Sequence, residues 1–170
     1  MKIFFLLPLM ALSVSIAIAR VGAHDQAQLN PRITTTSPVP VQCRYEIIVR
    51  TGDVGYAGTD AIISLNLTGR YGKVLSIKDL ASWGKNGSGY DYFERGNIDM
   101  FSGTGGCITP MPCGIMLKSD NSGNNPGWYV DYVMVTEFMP DSTQVSHMFK
   151  VNQWLAKDES PYQLFAYRTC

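Results

Sequence analysis

Arg44-Tyr45-Glu46-Ile47-Ile48-Val49-Arg50 alternates, with Tyr45, Ile47 and Val49 on one face of an extended chain and mostly polar residues on the other. Successive side chains of a strand point to opposite sides of its sheet, so this period of two marks a strand with one buried face. Ala61 to Leu67 repeats it, with Ile63, Leu65 and Leu67 inward and Ser64 and Asn66 outward. Shorter runs of the same kind are Lys73 to Ile77, Asn97 to Phe101, Ile115 to Leu117, His147 to Val151 and Tyr162 to Tyr167. In Trp128 to Val135 the phase changes: Trp128 and Val130 keep one, Val133 and Val135 the other. A one-residue slip turns the apolar face over unless a bulge absorbs it, so a bulge or sharp bend is expected at Asp131-Tyr132. Glycine-rich turns separate the runs, and only Asn152 to Ala156 fits a single helical turn. The pattern predicts an all-β antiparallel sandwich or barrel.

The chain opens with Met1-Lys2, an apolar run from Ile3 to Ile18, and the small-x-small pattern Ala17-Ile18-Ala19. That is the grammar of a secretory signal peptide, expected over residues 1–19. The run is shorter than the roughly 20 apolar residues of a spanning helix, and no second one follows, so no transmembrane helix is expected in the mature chain. Residues 20–42 hold Pro31, Pro38, Pro40 and three consecutive threonines, and read as a disordered leader. Residues 43–170 form the expected domain.

Fourteen basic and fourteen acidic side chains balance, and loss of the signal leaves a net charge of −1. Without a Lys/Arg cluster there is little to attract a phosphate backbone, which argues against nucleic acid as a partner, and against anionic lipid held by charge alone. Four cysteines in an oxidising compartment make two disulfides, with three pairings open. Cys107–Cys113 is favoured because it closes a short Pro-containing loop, and Cys43–Cys170 because it ties the domain's ends. The absence of a Cys-x-x-Cys pair and the distance of His24 and His147 from the cysteines argue against zinc.

No Gly-x-Ser-x-Gly elbow occurs, and His147 sits in a strand-like setting, so the chain reads as non-enzymatic. Oxygen-rich loops are better represented. Thr51 to Asp60 offers Asp53 and Asp60, and Asn86 to Glu94 adds Asp91 and Glu94. Calcium needs six to eight oxygens, which such loops supply when they converge, although Asp and Gly are also ordinary turn residues. Asp120 to Asn125 lacks the closing glutamate and the placed glycine of an EF-hand loop and reads as a turn. Asn66-Leu67-Thr68 and Asn86-Gly87-Ser88 are N-glycosylation sequons, with Asn86 in the more open loop.

Taken in order, Arg50-Thr51-Gly52, Ala57 to Asp60, Tyr92 to Asn97, Asp99 to Phe101, Ser119 to Gly123 and Gly127 to Val133 resemble the PLAT (lipoxygenase-homology) domain. Ser82-Trp83-Gly84, Asp91 to Asp99, Phe101-Ser102-Gly103 and Gln153 to Ala156 resemble its plant-stress subfamily of secreted or endoplasmic-reticulum proteins. The resemblance implies a sandwich of two four-stranded antiparallel sheets. It further implies a stress-associated module that binds a lipid or membrane surface, or a protein partner, in the endoplasmic reticulum or the apoplast. Calcium is the implied cofactor, with Gly58, Thr59, Asp60, Asp91 and Glu94 as its candidate ligands. Some calcium-binding relatives carry Asn-Asp before the phenylalanine; here the pair is Asp91-Tyr92. Trp128 corresponds to the family's core tryptophan. Trp83, in the long loop, is the candidate lipid or partner contact; the alternative is that it folds back over the sandwich end.

Overall fold

The structure, a computed structural model, describes residues 40–108 and 110–170. The signal segment 1–19 and the leader as far as residue 39 lie outside the described residues. Eight strands follow in order: β1 (Gln42–Thr51), β2 (Ile63–Gly69), β3 (Val74–Ile77), β4 (Ile98–Gly106), β5 (Pro112–Ser119), β6 (Trp128–Phe138), β7 (Gln144–Leu155) and β8 (Phe165–Thr169). They form two four-stranded antiparallel sheets of order β4-β1-β6-β7 and β3-β2-β5-β8. The sequence expectation of a two-sheet sandwich therefore holds. Among the described residues no helix is long and apolar enough to cross a membrane.

The alternation does what it predicts. Tyr45, Ile47 and Val49 of β1 and Ile63, Leu65 and Leu67 of β2 are fully buried, and they meet Ile115, Leu117, Val133 and Val135 in one core between the sheets. Trp128 is enclosed as well, and its indole N–H donates to the Thr51 hydroxyl at 3.0 Å, which satisfies the one polar atom it brings inside. The phase change in β6 is a bulge. Arg50 pairs with Tyr132 and Thr51 with Val130, leaving Asp131 as the extra residue, so Val130 and Val133 both face inward. Arg50 Nε donates to Asp131 Oδ2 at 3.0 Å and ties the bulge to β1.

Two expectations are corrected. Asn152 to Ala156 forms no helical turn, because β7 continues to Leu155. Its last residues pair with the start of β6, Gln153 with Val130, Trp154 with Tyr129 and Leu155 with Trp128, and Asn152 takes a φ of 45° where the register shifts. The disulfides are Cys43–Cys107 and Cys113–Cys170, in place of Cys43–Cys170 and Cys107–Cys113. The topology explains this. Cys43 lies opposite Gly105 on the neighbouring β4, whose chain exits at Cys107, whereas Cys170 follows β8 in the other sheet beside Cys113. Each bridge therefore joins adjacent strands within one sheet, with Cα separations of 4.9 and 5.0 Å. Two disulfides fit an oxidising secretory or extracellular setting.

A 3-10 turn, Leu80–Trp83, is capped by Asp79, which accepts from the Ala81 N–H at 3.0 Å. Leu80 anchors this turn in the core and Trp83 lies half-buried over β4. A Cβ on Gly103 would fall 2.4 Å from the Trp83 ring. Non-reducing peptide mapping of the purified protein is expected to return Cys43–Cys107 and Cys113–Cys170 fragments. Recovery of a Cys107–Cys113 loop peptide would refute this strand arrangement.

Candidate functional site

Three connections converge at one end of the sandwich: residues 52–62 after β1, 84–97 before β4, and 120–127 before β6. The second is anchored by Phe93, whose side chain leaves the loop for the core. It stacks on Phe101 at 5.5 Å and meets Trp128 edge-on at 5.0 Å, at the cost of a left-handed φ of 66°. The Phe93 N–H donates to Asp99 Oδ2 at 2.8 Å, and the Tyr90 hydroxyl donates to Asp99 Oδ1 at 3.1 Å. Asp99 is fully buried, and that burial raises its carboxyl above the usual range although both donors pull the other way.

With Phe93 fixed inward, Asp91 and Glu94 on either side of it are left at the surface. One carboxylate oxygen from each of Asp60, Asp91 and Glu94 lies within 4.8 Å of the other two. Asp60 is held from the third connection. Its N–H donates to the Asn125 carbonyl and its Oδ2 accepts from the Asn125 N–H, both at 3.2 Å. Gly123, at φ +80°, makes room, since a Cβ there would lie 2.5 Å from the Asp60 Cβ. Thr59 is buried; its N–H donates to the Phe93 carbonyl at 3.3 Å and its hydroxyl accepts from the Ala61 N–H at 3.1 Å. Gly58 brings the first loop against the second, where a Cβ would meet the Arg95 nitrogen at 3.1 Å. Gly58, Thr59, Asp60 and Glu94 line one cavity of about 140 Å³ together with Tyr56 and Asn125.

The site is electrostatically unbalanced. Glu94 is held above the ordinary carboxylate value first by burial, then by the charges of Asp91, Asp60 and Asp99. Arg95 also borders the cavity, but its Nε donates to Asp53 Oδ1 at 2.8 Å. None of the ion pairs among the described residues includes Asp60, Asp91 or Glu94. Three carboxylates with no ion-pair partner among the described residues form a hard-donor set that fits calcium better than a soft metal.

Residues 45–166 match the PLAT/LH2 domain family. The chain belongs to the PLAT domain family. PLAT domain-containing protein 2 of Arabidopsis thaliana is 46% identical over 127 residues, which cover 74% of this chain and 69% of that protein. PLAT domain-containing protein 3 of the same plant is 49% identical over 106 residues, 60% of this chain and 100% of that one. These relatives support the plant subfamily. Among solved structures, coral 8R-lipoxygenase, described as calcium-activated through a C2-like domain, matches with a TM-score of 0.51 at 26% identity. The match covers 66% of this chain and 16% of that enzyme, so the PLAT chain spans about a sixth of the lipoxygenase. PLAT domains are non-catalytic modules that mediate lipid or protein interactions.

Of the ligands expected from sequence, the PLAT fold brings the three carboxylates together and uses Gly58 and Thr59 to build the wall behind them. Tyr92, where some calcium-binding relatives carry Asp, turns away from the cluster. Its hydroxyl accepts from the Asn86 N–H at 2.9 Å, and its ring lies over Phe101. Asp91, one residue earlier, supplies the carboxylate instead. Trp83 stands apart with its ring on Gly103, whereas Tyr56, 93% exposed, is the free aromatic at the cavity. Sequence reasoning missed the supports Asp99, Gly123 and Asn125. Asp99 had a signal: it occupies the phase of Phe101, while its neighbours Ile98 and Met100 are exposed.

The pKa shift fixes a sign. A carboxyl whose folded pKa is raised makes ionisation unfavourable to the fold, so the stability it contributes at low pH is lost as pH rises through the folded value. In chelator at pH 7, Glu94→Gln is expected to raise the melting temperature by about 1–2 °C, given the partial exposure of the group. The gain should vanish below pH 4, where Glu94 is protonated. Thermal unfolding at both pH values checks this, and an equal gain at both would rule out charge repulsion as the cause.

Proposed function

We propose that this chain is a secreted, non-catalytic docking module that holds calcium at Asp60, Asp91 and Glu94 and uses it to bind a phosphate-bearing lipid surface. The observation that carries the reading is the gathering of three carboxylates from two loops, none of them in an ion pair among the described residues. When bound, calcium supplies the positive charge that a near-neutral protein lacks and leaves coordination positions for phosphate oxygens. The chain's own part is to hold the carboxylates: Phe93 and Asp99 fix the loop of Asp91 and Glu94, and Asn125 with Gly123 fixes Asp60. Around them Tyr56, Val54 and Ile62 are exposed, an apolar rim suited to the headgroup boundary.

The N-terminal segment 1–19 as a cleaved signal, with passage to the endoplasmic reticulum or the apoplast, agrees with the two disulfides. Asn86 lies in an exposed loop and is the preferred glycan acceptor, while Asn66 sits half-buried on the outer face of β2. Since Trp83 packs on Gly103, a sugar at Asn86 does not compete with insertion of that tryptophan.

A protein partner is the second reading, favoured by the outer face of the first sheet. Met100, Ile48, Met134 and Met148 are successive cross-strand neighbours there, and Met100 and Met148 are about half exposed. Methionine surfaces adapt to varied partners.

At 100 times its dissociation constant, calcium is expected to stabilise the fold by about 2.7 kcal/mol, a shift of several degrees in melting temperature. It should also carry the protein into the pellet with phosphatidylserine vesicles, and Asp60→Asn should abolish both effects. No shift and no sedimentation would remove the metal and leave the protein-partner reading.

A further inference from the structure

A second cavity, of about 300 Å³, opens beside the carboxylate cluster. Tyr56, Trp154, Asn124, Asn125, Asp158 and Glu159 line it, and among the described residues no Lys or Arg does. Trp154, next to last in β7, lies on the sheet's outer face. It is steadied edge-on by Tyr129, its cross-strand neighbour, at 5.4 Å and 68°, and by the bare backbone of Gly127. Asp158 and Glu159 come from the β7–β8 connection, which the Ala156 N–H closes onto the Gln163 carbonyl at 3.0 Å. Both are exposed, and neither belongs to an ion pair among the described residues.

Two aromatic rings and two uncompensated carboxylates around one cavity select for positive charge. Among the described residues Asp158 and Glu159 belong to no cluster of three metal-ligating side chains, and aromatic carbon does not ligate a hard metal ion. A quaternary ammonium is different. Its charge is spread under methyl groups, it is weakly hydrated, and aromatic faces attract it while carboxylates neutralise it. We infer that this cavity is a binding site for a quaternary ammonium group, such as that of choline.

Tyr56 and Asn125 border both cavities. A phosphocholine headgroup can therefore present its phosphate at the calcium centre and its ammonium between Tyr56 and Trp154. That extension to lipid rests on the calcium-docking reading, whereas the ammonium site itself does not require calcium.

The test titrates choline chloride into the purified full chain in chelator, by calorimetry and by saturation transfer to the N-methyl protons. Choline is expected to bind, and its uncharged tert-butyl isostere, dimethylbutanol, to bind at least about tenfold more weakly. Trp154→Ala is expected to weaken choline about tenfold. Because that variant removes a half-buried ring, Asp158→Asn with Glu159→Gln serves as the surface control: it should keep the native melting temperature and still weaken choline severalfold. No choline binding, equal binding of the isostere, or full affinity in the folded double variant would overturn the inference.

Vesicles separate the sources. The double variant should lose calcium-dependent sedimentation with phosphatidylcholine and retain it with phosphatidylserine. A calcium shift in melting temperature without choline binding overturns this site and leaves the docking reading. Choline binding without any calcium shift overturns the docking reading and leaves the ammonium site.

Discussion

The hydrogen bond from the Phe93 N–H to the buried Asp99 carboxylate, at 2.8 Å, is the constraint on which the functional end of the molecule depends. Phe93 has two demands to meet. Its ring belongs between Phe101 and Trp128, where burying an aromatic side chain contributes about 2–3 kcal/mol, and its backbone must adopt a φ that costs an L-residue about 1–2 kcal/mol. Asp99 resolves the conflict by giving the amide of the strained residue an acceptor in a place without water. Once Phe93 is pinned, Asp91 and Glu94 have no choice but to face outward, and the Phe93 carbonyl is left to receive the Thr59 N–H from the neighbouring loop. The position of the carboxylate cluster follows from a core aromatic and its buried acid.

The same arrangement costs stability. Asp60, Asp91 and Glu94 repel one another, and Asp99 adds to the field from inside. The fold tolerates this because backbone hydrogen bonds tie the loops to one another and to the sheet: Thr59 to Phe93, Asp60 to Asn125, Gly96 to Gly52, and Tyr129 to Ala57. For the calcium proposed to bind there, loops tied in this way are pre-organised: binding would spend little on ordering them and would remove a repulsion that is present beforehand.

The strands were legible because burial imposes a period of two, and even the bulge at Asp131 left its mark as the phase change between Val130 and Val133. The carboxylates were legible by family resemblance. What escaped was whatever depends on which strands become neighbours. The pairing of Cys43 with Cys107 follows from β1 lying beside β4, and that of Cys113 with Cys170 from β5 lying beside β8; chain distance carries neither fact. Likewise Asn152 to Ala156 lacks a strand's alternation at its start because the register shifts there, and only the partner strand β6 shows it to be extended. The turn at Asp120 to Asn125 is a turn, as its composition says, but it is also the clamp on Asp60, because Gly123 alone lets the two loops approach.

Charge decides what kind of surface this end can meet. The chain as a whole is neutral, yet its two loop cavities are lined by four carboxylates, from Asp60, Glu94, Asp158 and Glu159, with Asp91 clustered beside the first two, and Tyr56 and Asn125 border both cavities. An anionic membrane is repelled by such an end until a metal neutralises the inner cluster, whereas a zwitterionic headgroup brings both signs of charge. The inner cavity, bordered by the carboxylate cluster, suits the small hydrated cation; the outer one, where Tyr56 and Trp154 join Asp158 and Glu159, suits the large, weakly hydrated one. Two adjoining anionic cavities of different chemistry do not compete for the same ion. Their side-by-side placement, with one tyrosine and one asparagine in common, makes a pair of opposite charges on a single headgroup the complement that satisfies both.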